Sequence, residues 1–326
     1  MKQKLFTEIL ALISLFSMNL FNMNAGTTPD FNYPNTVSTN ALADLKKAEK
    51  SGDKTQLCDA LIRYSVAQTL ISNDNAQECI NKIEHYRQKE TAADYAAILA
   101  MLEADFYTGL SQNTYGDRKE KHDTYPADLS EWNSDDFNKR ITELYDEAFS
   151  KIEQLRTFPI TKYQPIIKAD SKYFPSLLDF AYSKRIESRL NGDNTKSLLS
   201  QWADFHKGDV APSIYLAIKN IENANLNVAD SEKQFLKLYK QYSQFMESGM
   251  ALNEIGYSTY GIDSDAIHED TSTDHQSQVL ECYRLFKDYV ARFPKSPFTP
   301  AIRAKIYFIE QKSVNVFAEE HYVSQN

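Results

Sequence analysis

The chain of 326 residues is 42% hydrophobic and 25% charged, and its 45 Asp and Glu against 36 Lys and Arg leave a net charge of −9. The basic residues are interleaved with acidic ones rather than clustered, which excludes the phosphate-tracking surface that nucleic-acid binding requires. The 3 cysteines are too few, and odd in number, for a disulfide-stapled scaffold.

Residues 1–25 carry Lys2 and Lys4, then the apolar run Ile9-Leu10-Ala11-Leu12-Ile13-Ser14-Leu15-Phe16, and reach Asn24-Ala25 before a polar segment. This order predicts a secretory signal peptide, although Glu8 interrupts the early run and Met23 is large for the position before the cut. No Cys follows the apolar run to accept a lipid, and no later stretch reaches the ~18 apolar residues that a membrane span needs. The expected location is therefore the periplasm or cell envelope.

Residues 26–36, with Pro29 and Pro34, read as an irregular lead-in. From there to residue 312 the pattern is helical hairpins: about 37–51, closed by Gly52 as a left-handed cap; a second helix from Asp53-Lys54-Thr55; a third at about 75–88; and a fourth at about 91–109. The second helix places Leu57, Leu61, Tyr64, Ala67 and Leu70 on one face, and the fourth places Tyr95, Ile98, Leu99, Leu102 and Phe106 inward. If the second and third helices turn near Asn73, Cys79 sits about 13 Å out of register with Cys58, beyond disulfide reach. The cysteines then read as small buried hydrophobes.

Residues 110–130 break the rhythm with glycines, a charge cluster and Pro126, and read as a long loop at which two lobes meet, if the stack is not continuous. A helix at about 134–155 opens on Ser134-Asp135-Asp136-Phe137 as a capping box and ends at Phe158-Pro159. An extended piece follows around Pro165-Ile166-Ile167. Further helices are expected from Tyr173-Phe174-Pro175, and at about 195–206, 211–224, 230–248, 276–292 and 298–311. In the terminal pair, Phe293-Pro294-Lys295-Ser296-Pro297 forms the turn, with Tyr283, Phe286, Tyr289 and Val290 on the inner face. Residues 313–326 alternate Val314, Val316 and Ala318 with polar residues and read as the start of a β domain. The expected fold is all-α: an irregular tetratricopeptide-like solenoid of helical hairpins over 37–312, with a short strand-like tail.

Chemical motifs are sparse. Asp263, Asp265, His268, Glu269, Asp270, Asp274 and His275 crowd one segment, but their spacing matches neither a calcium-binding loop nor a His-x-x-x-His zinc pair, so a solvated acidic loop is expected rather than a metal site. Asp135-Asp136 is explained by the helix dipole, and His85 and His206 are isolated on helices. The 20 tyrosines and 18 phenylalanines recur at helical spacing, as core filling does. No catalytic, cofactor-binding or metal-ligating residue is assigned, and no cofactor is expected.

In the segment 131–186, Trp132, Phe137, Ile141 and Leu144-Tyr145, then Pro159-Ile160, Tyr163 and Ile166-Ile167, then Tyr173-Phe174-Pro175-Ser176-Leu177-Leu178-Asp179-Phe180 form an aromatic pattern. With Phe293–Pro297 and the tail Val314–Val323, it resembles the helical N-terminal region of α2-macroglobulin-like proteins exported by Gram-negative bacteria. The resemblance implies a periplasmic protease-trap family with a bait region and sometimes an internal thioester. The thioester motif Cys-Gly-Glu-Gln does not occur in this chain, and no bait region can be placed. The implied role is a non-enzymatic helical platform, whose partner is another protein or β domains of its own chain. An exported solute- or protein-binding module of the outer-membrane capture type is the alternative; a hydrolase with an unrecognised site is a third.

Overall fold

The computed structural model of the protein describes residues 32–111, 122–188, 190, 194–255 and 273–312. Among these the architecture is all-α, built of helical hairpins. Besides helices and turns it contains an isolated bridge between Pro159 and Ser176. The chain divides into two compact units, Met1–Asn194 and Thr195–Asn326.

In the first unit, α1 (Pro34–Ser51) starts with Pro34 in its first turn and stops at Gly52, whose φ of 72° is the left-handed cap expected from the sequence. Three residues of the expected lead-in are thus already helical. Asp53 then caps α2 (Lys54–Ile71) by accepting the Gln56 N–H at 2.9 Å. A 3-10 turn at Asn73–Asn75 leads into α3 (Ala76–Lys89), and α4 (Ala93–Leu110) follows. Successive members of this series pack on one another, so the short connections make hairpins. Cys58 and Cys79 are both fully buried, as small hydrophobes.

The segment 110–130 does not separate lobes. Leu110 ends α4, a 3-10 turn forms at Leu129–Glu131, and α4 packs directly on α5 (Ser134–Phe149) inside the first unit. Of the remainder, residues 112–121 lie outside the described residues. The Trp132 indole donates to the Pro126 carbonyl at 2.9 Å, and its ring stacks between Tyr125 and Tyr107 at centroid distances of 4.8 and 5.2 Å.

The cap of α5 is Asn133 rather than Ser134: its side chain accepts from the Asp135 and Asp136 N–H groups while Asp136 accepts the Asn133 N–H, a closed capping box. The helix expected to run to 155 breaks at Ser150–Lys151 and restarts as the short α6 (Ile152–Thr157). Of the piece read as extended around 165–167, Pro165 and Ile166 lie in a turn, since the N–H groups of Ile166 and Ile167 both bond to the Tyr163 carbonyl after a 3-10 turn at Ile160–Tyr163, while Ile167 is a bridge residue. The following helix, α7 (Leu177–Glu187), starts after Tyr173-Phe174-Pro175. Ile160 N–H bonds to Pro175 and Leu177 N–H to Phe158, holding 173–176 outside the helix.

The described residues of the second unit form α8 (Thr195–Phe205), α9 (Val210–Glu222), α10 (Val228–Tyr242), α11 (Gly249–Asn253), α12 (Thr273–Arg292) and α13 (Thr299–Lys312). Its core gathers Ile214, Leu238, Tyr239, Leu252, Phe286 and Tyr289, with Cys282 buried and Tyr283 and Val290 packed against it, so the inner face expected for the terminal pair is present. The expected 230–248 helix stops at Tyr242, turns through a 3-10 segment at Met246–Ser248 and resumes as α11. Past the break, Gly249 opens α11 where a distant side chain comes close. A Cβ there would lie 2.1 Å from the Tyr289 hydroxyl, which reaches the Met246 carbonyl at 2.6 Å. The signal-peptide segment, the acidic positions 263–270 and the strand-like tail 313–326 lie outside the described residues, as do the side chains of Asp274 and His275.

Candidate functional site

Helix α4, ADYAAILAMLEADFYTGL, is apolar on nearly every face, and 14 of its residues are buried. A helix of that kind lies inside the molecule, and here it touches α2, α3, α5, α6 and α7. It nonetheless carries Asp94, Glu103 and Asp105. A carboxylate carried into such a position must be matched by a cation or charged hydrogen bonds, since burying it alone costs several kcal/mol or forces it neutral.

Each of the three acids is matched from a different neighbour. Glu103, fully buried, accepts Arg87 Nε of α3 at 2.7 Å through one oxygen and an Arg140 guanidinium nitrogen of α5 at 2.9 Å through the other. The two arginines reach on to outer carboxylates: Arg87 to Glu147, and Arg140 to Glu84 at 3.2 Å. Burial pushes the Glu103 carboxyl upward and the two guanidinium groups pull it back; Arg87 and Arg140 are held still more firmly protonated by the same acids.

Asp105 meets Lys184 of α7 at 2.5 Å, with the Tyr145 hydroxyl at 3.5 Å and Glu187 3.9 Å from the same ammonium. The Lys184 side chain is wholly shielded from solvent. Burial moves the Asp105 carboxyl up to about 6, with Lys184 opposing the shift.

Asp94, in the first turn of α4, accepts Lys162 Nζ and the Tyr163 hydroxyl, both at 2.6 Å. Burial alone would raise this carboxyl, but the bonds from Lys162 and Tyr163 outweigh it and hold it below the usual range. The Lys162 ammonium also sits 5.4, 5.5 and 5.2 Å from the ring centres of Tyr95, Phe158 and Tyr163, an aromatic surround that the chain fills with its own cation. Tyr95 closes the group through a 2.7 Å contact with the Thr55 hydroxyl on α2.

The second unit uses one buried cation in a similar way. Lys305 of α13, 5% exposed, donates to the carbonyls of Asn253 and Ile255, tying α13 to the end of α11. Cations at a helix C-terminus complement its dipole.

Sequence reading missed this system because it assigned inward positions of the fourth helix by periodicity and treated charge as solvated face. The signal was present: three acids in a helix without a polar side can only be internal. Among the described residues the histidines form no shared site: His85 is exposed beside Lys89, His206 is buried with Asp209 at 3.2 Å, and His122 meets Asp136 at 2.8 Å. Among the described residues no cluster of His, Cys, Asp and Glu has the makings of a metal site, and no helix is long and apolar enough to cross a membrane. Comparison with protein-family models, with curated proteins and with solved structures finds no match.

Proposed function

We propose that the chain is a non-enzymatic scaffold of helical hairpins, exported to the cell envelope, that presents its surface to a protein partner. The observation that carries this reading is the matching of all three acids of α4 by bases from separate neighbours. A catalytic acid or base needs one face toward substrate, whereas Glu103 has both oxygens engaged by arginines and Asp94 is engaged by Lys162 and Tyr163. The internal charges of α4 fasten it to its neighbouring elements.

We further propose, from the resemblance of 131–186 and Phe293–Pro297, that this scaffold is the N-terminal platform of an α2-macroglobulin-like trap, followed in the natural protein by β domains that carry the bait region. An antibody against the first unit, used on fractionated cells of the native host, tests both parts. A periplasmic band far larger than the 37.4 kDa of these residues is expected. A periplasmic band near 37.4 kDa would overturn the trap and leave a free-standing binding scaffold, and a cytoplasmic band would overturn export.

A further inference from the structure

Lys162 stands apart from other cations that meet α4. Lys184 on Asp105 and Arg87 on Glu103 are withdrawn from water, whereas the Lys162 side chain is 47% exposed over a buried Asp94. Its ammonium thus reaches the acid from the solvent side, and it lies within 5.5 Å of the ring centres of Tyr95, Phe158 and Tyr163. The walls around it are fixed. The Tyr163 hydroxyl donates to Asp94, the Tyr95 hydroxyl is tied to the Thr55 hydroxyl, and these two rings meet edge to face at 5.8 Å. The Phe158 backbone is held by the Leu177 N–H on its carbonyl. Lys162, by contrast, hangs on a flexible four-carbon stem from the 3-10 turn at Ile160–Tyr163. Three aromatic rings and a buried carboxylate attract an alkylammonium group whichever chain carries it.

We propose that Asp94, Tyr95, Phe158 and Tyr163 form a recognition site for a lysine side chain of a protein partner, with Lys162 as the tethered occupant that this lysine replaces. A buried carboxylate does not stay unpaired, so Lys162 leaves as another cation arrives, and the exchange leaves the local charge unchanged. The tether gives Lys162 a high effective concentration. A free cation must therefore be supplied in excess, whereas a partner docked alongside brings its own lysine at a comparable effective concentration. Sign agrees, because a chain of net charge −9 favours a basic partner. Such a site rests on the scaffold reading of the chain; the size and location of the native protein test that reading and lysine exchange tests the site, so the two fail separately.

The test in the full chain is amine labelling, read residue by residue by mass spectrometry. Tetramethylammonium chloride is the probe, a cation with no reactive amine, and sodium chloride at the same ionic strength is the reference. Labelling of Lys162 should rise about threefold with the probe as the population shifts, while exposed Lys47 is unchanged and shielded Lys184 stays unlabelled, showing the fold intact. Calorimetry then compares Nα-acetyl-lysine amide and methylammonium on the parent chain and on Lys162→Ala. The lysine probe should bind Lys162→Ala about tenfold more tightly than the parent, since a site closed most of the time loses apparent affinity by its open fraction. Adding Asp94→Asn should abolish that binding. Unchanged labelling of Lys162 would overturn the proposal even if Lys162→Ala failed to fold. Equal affinity for parent and variant, binding that survives Asp94→Asn, or binding of methylammonium without binding of the lysine probe would overturn it as well.

Discussion

Two residues show how tightly side-chain chemistry is fixed. Gly249 leaves the space into which the Tyr289 hydroxyl reaches to meet the Met246 carbonyl and Ser296, the latter at 2.6 Å, and a Cβ would also meet Phe298 at 3.0 Å. Gly249→Ala should therefore destabilise the second unit by roughly 1–3 kcal/mol, as overpacking does; chemical denaturation reads the loss, and a variant as stable as the parent would show that Tyr289 moves aside freely. Lys184 makes a different demand, because the carboxyl it faces is raised. Asp105 in the folded chain titrates near 6 against 3.8 when unfolded, so its contribution to stability is complete below the unfolded value and is lost as pH rises through about 6. Lys184→Met removes the group that opposes this rise and leaves the carboxyl among Tyr145 and Glu187. The variant should lose ~3–5 kcal/mol at pH 7 and much less at pH 4, where Asp105 is protonated; equal losses in urea titrations at the two pH values would contradict this. Asp94 runs the other way: held low by Lys162 and Tyr163, it supplies stability above its unfolded value and loses it on acidification.

At the scale of single helices, the boundaries are set by caps that can be removed one at a time. Asn133→Ala opens the capping box of α5 and leaves the Asp135 and Asp136 N–H groups without their acceptor, a cost of about 1 kcal/mol, measurable as a lowered thermal midpoint; Ser134→Ala should cost much less, since Ser134 is not the cap. Helix existence and pairing were legible in the sequence because apolar spacing and Gly52, Asp53 and the Phe293–Pro297 turn act locally. The breaks at Ser150–Lys151 and after Tyr242 were not legible, because no proline marks them. Nor does periodicity within α10 and α11 carry any trace of the close approach of Tyr289 to Gly249, 40 positions away in the chain. The internal acids of α4 were legible in principle, but only by asking what an apolar helix does with a carboxylate.

For the whole molecule, the division at Asn194 and Thr195 has an energetic counterpart. The second unit's core cluster, from Ile214 to Ile309, draws every member from α9 onward. Residues 195–312 produced alone should fold into a helical domain with one cooperative urea transition, because a contiguous core is what two-state unfolding requires; a broad, non-cooperative melt would mean that the first unit completes it. The buried cysteines give this division a chemical address. Cys58 and Cys79 belong to the first unit and Cys282 to the second, and all three thiols are shielded. Burial raises the Cys58 thiol far above its ordinary value and Cys79 up to about 12, so neither forms the nucleophilic thiolate while the helices are closed. The molecule thus contains its own opening clocks, one set in each unit, and the rate at which a thiol reagent consumes each cysteine becomes a record of which half breathes first.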